Sequence, residues 1–439
     1  MENVMRDIIF RYTTLCLLFV ASTAAAEVRV AVGRNEAAAP YPAFRFAAVP
    51  APKRLDLASS GDFTVVDGVI DPHSGGLRAL NDGLTPLEED QPRLNFFFAP
   101  GRGGRVRLDL RHATDIKAID TYSRHPGERA AQVYTVYGSE GSSPAFKSAP
   151  RRPADPQSAG WTLITRVDTR SSSMLGGTYG VSIQGIPKSL GRFRFLMFDI
   201  EPTETSNTFY SEIDVIADGQ SLADEPPSPR VQSIAIDGGR YSAVLDVSAT
   251  PELALWASTE LLPAVQEWYP KLVAMLPSPG FRAPDRFSIT FVTNKEGVAT
   301  TTGTAISGAA AFYRKNVGGE AVGSMIHEMV HVVQQFRGGV APVWLTEGIA
   351  DYLRFYRFEP ETHGADIPVD RASTARYDGS YRITANFLNW VSGRYSPSLV
   401  ENLTGAIRAR QYSERLWLKL TGHSLQELGQ TWKQSLSGH

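Results

Sequence analysis

The period of the apolar residues changes once along this chain, across the proline-rich stretch Asp224-Glu225-Pro226-Pro227-Ser228-Pro229. Before it, segments such as Arg105–Leu110, Gln132–Tyr137 and Phe193–Ile200 are apolar at alternate positions, with clusters of Gly, Pro and Asn between them. Successive side chains of a strand point to opposite faces, so this period buries one face of a sheet. Several such strands with no helix between them predict an all-β antiparallel sandwich of the jelly-roll kind. After the stretch the period lengthens. Pro251–Leu276, Ala321–Phe336, Trp344–Phe355, Tyr381–Val391, Pro397–Arg408 and Ser424–Leu436 carry apolar residues at helical spacing, and Phe287–Val292 alternates as a strand. Pro263 and Pro270 predict a break or kink in the first of these helices. The chain therefore reads as multidomain: a sandwich over 27–222, a linker over 223–230 and a mainly helical, α+β domain over 231–439. Ser143–Ala159, rich in Pro, Ser and charge, reads as a long surface loop.

Residues 1–26 read as an export leader. Arg6 and Arg11 supply positive charge, Tyr12–Val20 is mostly apolar, and Ala24-Ala25-Ala26 offers small residues for cleavage before Glu27. The apolar run is too short for a bilayer core of about 30 Å, and no second span follows. The mature protein is expected to be secreted, extracellular or periplasmic, without stable membrane insertion. Cys16, the one cysteine, lies in the leader. Leu15 before it is not the small residue that lipoprotein cleavage requires. A mature chain without a thiol has neither a disulfide nor a cysteine nucleophile, and its stability must come from core burial. With 44 Lys and Arg against 46 Asp and Glu, the net charge of -2 argues against nucleic acid as a partner held by a basic surface.

The chemistry concentrates at His327-Glu328-Met329-Val330-His331. On a helix, positions i and i+4 share one face, so the two imidazoles can bind one zinc ion while Glu328 leans to the same side. Val322, Met325, Ile326, Met329, Val330, Val333 and Phe336 supply a buried face, and Gly338-Gly339 is expected to end the helix. A catalytic zinc site needs a third protein ligand and an open position for water. Glu347, within Trp344–Tyr352 on the next predicted helix, is the expected supplier. Asp351, one turn further on, is placed to accept the second ring N–H of a ligating histidine. The expected metal ligands are therefore His327, His331 and Glu347, the expected cofactor is Zn2+, and the expected general base is Glu328. Glu328 is expected to take the proton of the attacking water and pass it to the leaving amine. Tyr377 and Tyr381 are both candidates to donate to the oxyanion, with Tyr381 preferred. The strand Phe287–Val292 and the stretch Gly297–Gly308 precede the metal helix. They could offer a sheet edge to an extended peptide, or form an ordinary hairpin. A structural zinc site would more usually be closed by four cysteines or histidines.

These residues resemble a known family. "HEMVHVVQ" at His327–Gln334, "PVWLTEGIADYLR" at Pro342–Arg354, "YRITANFLNWV" at Tyr381–Val391 and "LTGHSLQELGQTW" at Leu420–Trp432 look like the basic secretory protein family of plant and bacterial peptidases. The resemblance spans about residues 230–439. It implies a gluzincin-like zinc peptidase, with two histidines from one helix and a glutamate from the next. The chain departs from the family's name in not being basic, so attraction to an acidic surface is not implied. In the N-terminal half, "LNDG" at Leu80–Gly83, "VRLDL" at Val106–Leu110, "YSRHPGERAAQVYTVYGS" at Tyr122–Ser139 and "FYSEIDV" at Phe209–Val215 resemble discoidin-like, galactose-binding-like domains. That resemblance implies a glycan or other surface ligand. A purely supporting sandwich remains equally open. The expected function is a secreted zinc metalloendopeptidase acting on protein or peptide substrates, some of them glycosylated. The alternative is a surface-binding protein whose zinc domain is not catalytic.

Overall fold

The computed structural model describes residues 27–36, 43–170, 176–204, 206–220, 228–336, 341–379 and 381–436. The expected leader, most of the expected linker and the pair Gly338-Gly339 lie outside them.

The alternating segments pair into one antiparallel system. Its strands are β1 (Glu27–Asn35), β2 (Asp62–Asp67), β3 (Gly104–His125), β4 (Val133–Ser139), β5 (Thr162–Asp168), β6 (Gly177–Ile186), β7 (Gly191–Ile200) and β8 (Tyr210–Ala217). The order is β1-β6-β3-β7-β4-β5, with β2 and β8 also paired to β3. β3 is 22 residues long and changes partners along its length. Its first part runs against β2 and β7, and its second against β6 and β8. A register shift between Asp109 and Thr114, with Arg111 at φ 66, bends the strand so that it serves both layers. Inward residues of both layers, among them Val106, Leu108, Ile119, Ile183, Leu196 and Val215, form the buried core of the predicted sandwich.

The outer face of β3 and β8 carries buried acids. Asp120 pairs across the strands with Asp214, and Tyr122 with Glu212. Asp56, from the segment before β2, is buried with them. Backbone amides satisfy part of this charge: Lys53 N donates to Asp214, Gly83 N to Glu212, and Ala58 N and Val215 N to Asp56. No backbone amide among the described residues meets Asp120, and the Ser182 hydroxyl offsets only part of its burial. Burial pushes Asp120 up to about 7 and Asp56 up to about 6. It also raises Glu212, helped by the Asp214 charge, and Asp214, helped by the charges of Asp56 and Asp120. A raised acid in the folded state holds protons that the unfolded chain releases above about pH 4, so stability falls as pH rises from about 4 to about 7. In chelator-containing buffer, the melting temperature is expected to be higher at pH 5.5 than at pH 7.5. Asp120→Asn removes an ionisation penalty on the order of a few kcal/mol and flattens that slope. A melting temperature that climbs over this range would contradict the account.

The C-terminal region is built on a five-stranded sheet of β9 (Val231–Ile236), β10 (Tyr241–Asp246), β11 (Arg286–Val292), β12 (Ala299–Thr302) and β13 (Ala305–Ala309), in the order β12-β13-β11-β10-β9. Phe287–Val292 is thus an interior strand, and the sheet edges belong to β12 and β9. The β9–β10 hairpin was not foreseen, although Asp237-Gly238-Gly239 marked its turn.

Helices follow: α1 (Ala254–Trp256), α2 (Leu262–Met275), α3 (Ala310–Asn316), α4 (Ala321–Gln334), α5 (Val343–Leu353), α6 (Val369–Ala372), α7 (Tyr381–Arg394), α8 (Leu399–Arg408), α9 (Arg415–Thr421) and α10 (Leu425–Leu436). The break expected at Pro263 takes the form of a π turn, Ala257–Leu261, after which Pro263 sits in the first turn of α2. Pro270 lies inside α2. α4 ends earlier than expected, on Gln335 in a left-handed conformation at φ 45.

The two regions share core. Leu84 and Leu94, from before the linker, are buried in the apolar cluster of the C-terminal region. Gln91 donates to the carbonyls of Arg314 and Lys315 at 2.8 and 3.2 Å, satisfying acceptors at the end of α3. Arg78 pairs with Glu260.

Candidate active site

α4 is buried along almost its whole length, which fixes the rotation at which it presents His327, Glu328 and His331. α5 carries Glu347 and Asp351 beside it. Gly348 lets α5 approach α7 closely, since a Cβ there would lie 2.1 Å from Thr384 Cγ2. Three of the expected site residues converge. His327 Nε2 and His331 Nε2 lie 3.1 Å apart, and Glu347 Oε2 is 3.1 Å from the first and 3.3 Å from the second. Their candidate ligand atoms all lie within 4.8 Å of one another.

The far side of each ring is held. Asp351 Oδ1 accepts from His327 Nδ1 at 2.6 Å, the partner that one-turn spacing from Glu347 predicted. Gln334 Oε1 accepts from His331 Nδ1 at 2.7 Å, and Gln334 Nε2 donates to Thr346 O at 3.0 Å, which orients the amide. With both Nδ1 atoms donating, both Nε2 atoms face the convergence. Gln334 was not singled out from the sequence, although its position three residues after His331 on the same helix face was the available signal.

The electrostatics follow from this geometry. Burial alone would raise the Glu347 carboxyl, but its hydrogen bonds to the two imidazoles outweigh burial and hold it at about 2. Burial alone would lower His327, but its hydrogen bonds to Asp351 and Glu347 raise it to about 9. Glu347 is therefore an ionised carboxylate at any ordinary pH.

Glu328 points toward β12, where Thr301 Oγ1 lies 2.6 Å from its Oε2. Of the two tyrosine candidates, Tyr381 reaches the site. Its ring stacks on His327 at 6.2 Å, it is 49% exposed, and the Glu347 charge raises its pKa, so the phenol keeps its proton. Tyr377 packs instead against Trp344 and Phe387, with its ring edge on Gly429. The residues border a cleft of about 1290 Å³ that runs from Ala299, Thr300 and Thr301 on β12 to Tyr381 and Arg382 on α7. At the far end Arg354 and Arg382 share the Glu320 carboxylate.

Comparison with known proteins addresses the two regions separately. No curated protein matches the chain. The N-terminal part is similar to CpGH89CBM32-6 of Clostridium perfringens, with 17% identity over 37% of this chain and 99% of that one and a TM-score of 0.22. It is also similar to a fucose-binding module of Streptococcus pneumoniae, with 12% identity over 37% and 96% and a TM-score of 0.26. A third similar structure is the lectin domain of lectinolysin complexed with Lewis B antigen, with 10% identity over 38% and 98% and a TM-score of 0.25. Residues 267–432, from α2 to α10, match the model of the BSP family, described as a peptidase of plants and bacteria. The C-terminal region of this chain therefore carries a BSP peptidase domain.

Proposed function

We propose that this chain is a secreted zinc-dependent endopeptidase, with His327, His331 and Glu347 as metal ligands and Glu328 as general base. The observation that carries the reading is the convergence of two Nε2 atoms and one carboxylate oxygen, each ring locked from behind by Asp351 or Gln334. Two nitrogens and one oxygen suit zinc, and three protein ligands leave the fourth position for water, as catalytic sites do and closed structural sites do not. When bound, the ion would supply Lewis-acid polarisation of a carbonyl and bring the pKa of a water near neutrality.

The remaining steps belong to the chain's own residues. Glu328 takes the proton of the attacking water and delivers it to the leaving amine. Tyr381, protonated and beside His327, is the donor available to the carbonyl oxygen as charge develops there. β12 is a sheet edge along the cleft, against which an extended peptide can pair by its backbone.

Secretion rests on the leader read at residues 1–26. No helix among the described residues is long and apolar enough to cross a membrane. We further assign residues 27–222 to a sandwich domain and 231–439 to the peptidase domain. We further propose a glycan ligand for the sandwich, as the discoidin-like resemblance implies, which would bring the peptidase to glycosylated or polysaccharide-associated protein.

The test is hydrolysis of an unfolded protein substrate by the purified mature chain, with and without a zinc chelator. Activity is expected to disappear on chelation and to return with added Zn2+. Activity indifferent to chelation would remove the metal from the mechanism.

A further inference from the structure

The short edge strand β12 does more than border the cleft. Its residues alternate, so Ala299 and Thr301 turn inward toward α4 while Thr300 and Thr302 are exposed. Thr301 Oγ1 meets Glu328 twice, at 2.6 Å from Oε2 and 3.1 Å from the main-chain oxygen. A hydroxyl has one proton to give, and the shorter contact to a carboxylate oxygen takes it. Among the described residues no other donor meets that carboxylate. The hairpin that carries Thr301 is itself fastened to α4, since Gln335 Nε2 donates to Gly303 O at 3.0 Å in the β12–β13 turn.

A glutamate carboxylate ends a flexible side chain, and a general base acts only within hydrogen-bond reach of the proton it takes. A threonine on a paired strand is stiff by comparison, because its branched Cβ restricts χ1. We propose that Thr301 is a positioning residue for Glu328: its hydroxyl anchors Oε2 and leaves Oε1 free to carry the proton between water and leaving amine. This rests on the reading of Glu328 as general base. It adds that the edge strand belongs to the catalytic apparatus as well as to substrate binding.

The experiment compares full-length wild type, Thr301→Val, Thr301→Ser and Glu328→Gln on one fluorogenic peptide, with zinc content, melting temperature and a crystal structure of the valine variant. Valine keeps the shape and strand preference of threonine and removes the hydroxyl. The expected result is a kcat lower by about tenfold with KM within about twofold, the size of one lost hydrogen bond to a charged group. Serine should restore most of the rate, and zinc content and melting temperature should not move. In the valine variant the Glu328 side chain should occupy more than one rotamer where the wild type shows one. Wild-type kcat in Thr301→Val, with Glu328→Gln inactive, overturns this proposal alone. Equal losses in the valine and serine variants, together with a lower melting temperature, make Thr301 a packing residue and overturn it as well. A wild type no faster than Glu328→Gln overturns the general-base reading, and the role of Thr301 falls with it.

Discussion

Glu328→Gln is expected to lose peptide hydrolysis by about 10²- to 10⁴-fold, the range general acid–base catalysis supplies, while its zinc content stays at the wild-type level. Assembly of the site and its chemistry depend on different residues. Glu328 contributes no atom to the convergence of His327, His331 and Glu347. Gln has the same shape, and its amide oxygen can still accept from Thr301, so neither α4 nor the β12 contact loses a partner. What it cannot do is take up a proton at neutral pH. Rates on an unfolded protein or fluorogenic peptide, beside metal analysis of the same preparations, read both halves. Undiminished hydrolysis by the variant would falsify the assignment of the base.

His331→Ala is expected to abolish both activity and zinc retention, leaving well under a tenth of an equivalent of metal after dialysis. Removing one of the three proposed ligands takes away a nitrogen that Gln334 orients and that helps hold Glu347 ionised. It also leaves the Gln334 oxygen without its ring partner. Unlike Glu328→Gln, this variant should lose any metal-dependent gain in melting temperature. Zinc bound as tightly as in the wild type would mean that the ligand set has been misassigned, and Glu347→Ala would then be the next variant to measure.

Local regularities carried a large part of this reading. Period two before Asp224 and period 3.6 after Pro251 separate sandwich from helical region, because each period reflects which face of one element meets a core. The spacing of His327 and His331 places both on one helix face wherever that helix packs, so two of the three candidate ligands needed no knowledge of the fold. Glu347 and Asp351 were legible for a related reason, being one turn apart in an apolar stretch.

Other features depend on residues far apart in the chain, and no local energy term encodes them. Asp351 meets His327 only because α5 packs beside α4. Tyr381 rather than Tyr377 lines the cleft because Trp344, Phe387 and Gly429 claim the other ring. Thr301 reaches Glu328 across 27 residues through the register of a hairpin at a sheet edge. Leu84, Gln91 and Leu94 cross an expected domain boundary, which the change of apolar period across a proline-rich stretch placed and which says nothing of buried contacts across it. Element type, and the two histidines that share a helix face, follow from dihedral preference and burial of one face over a few residues. The partners that complete the site follow from how close-packed elements exclude all but one relative arrangement, and that is a property of the assembled core.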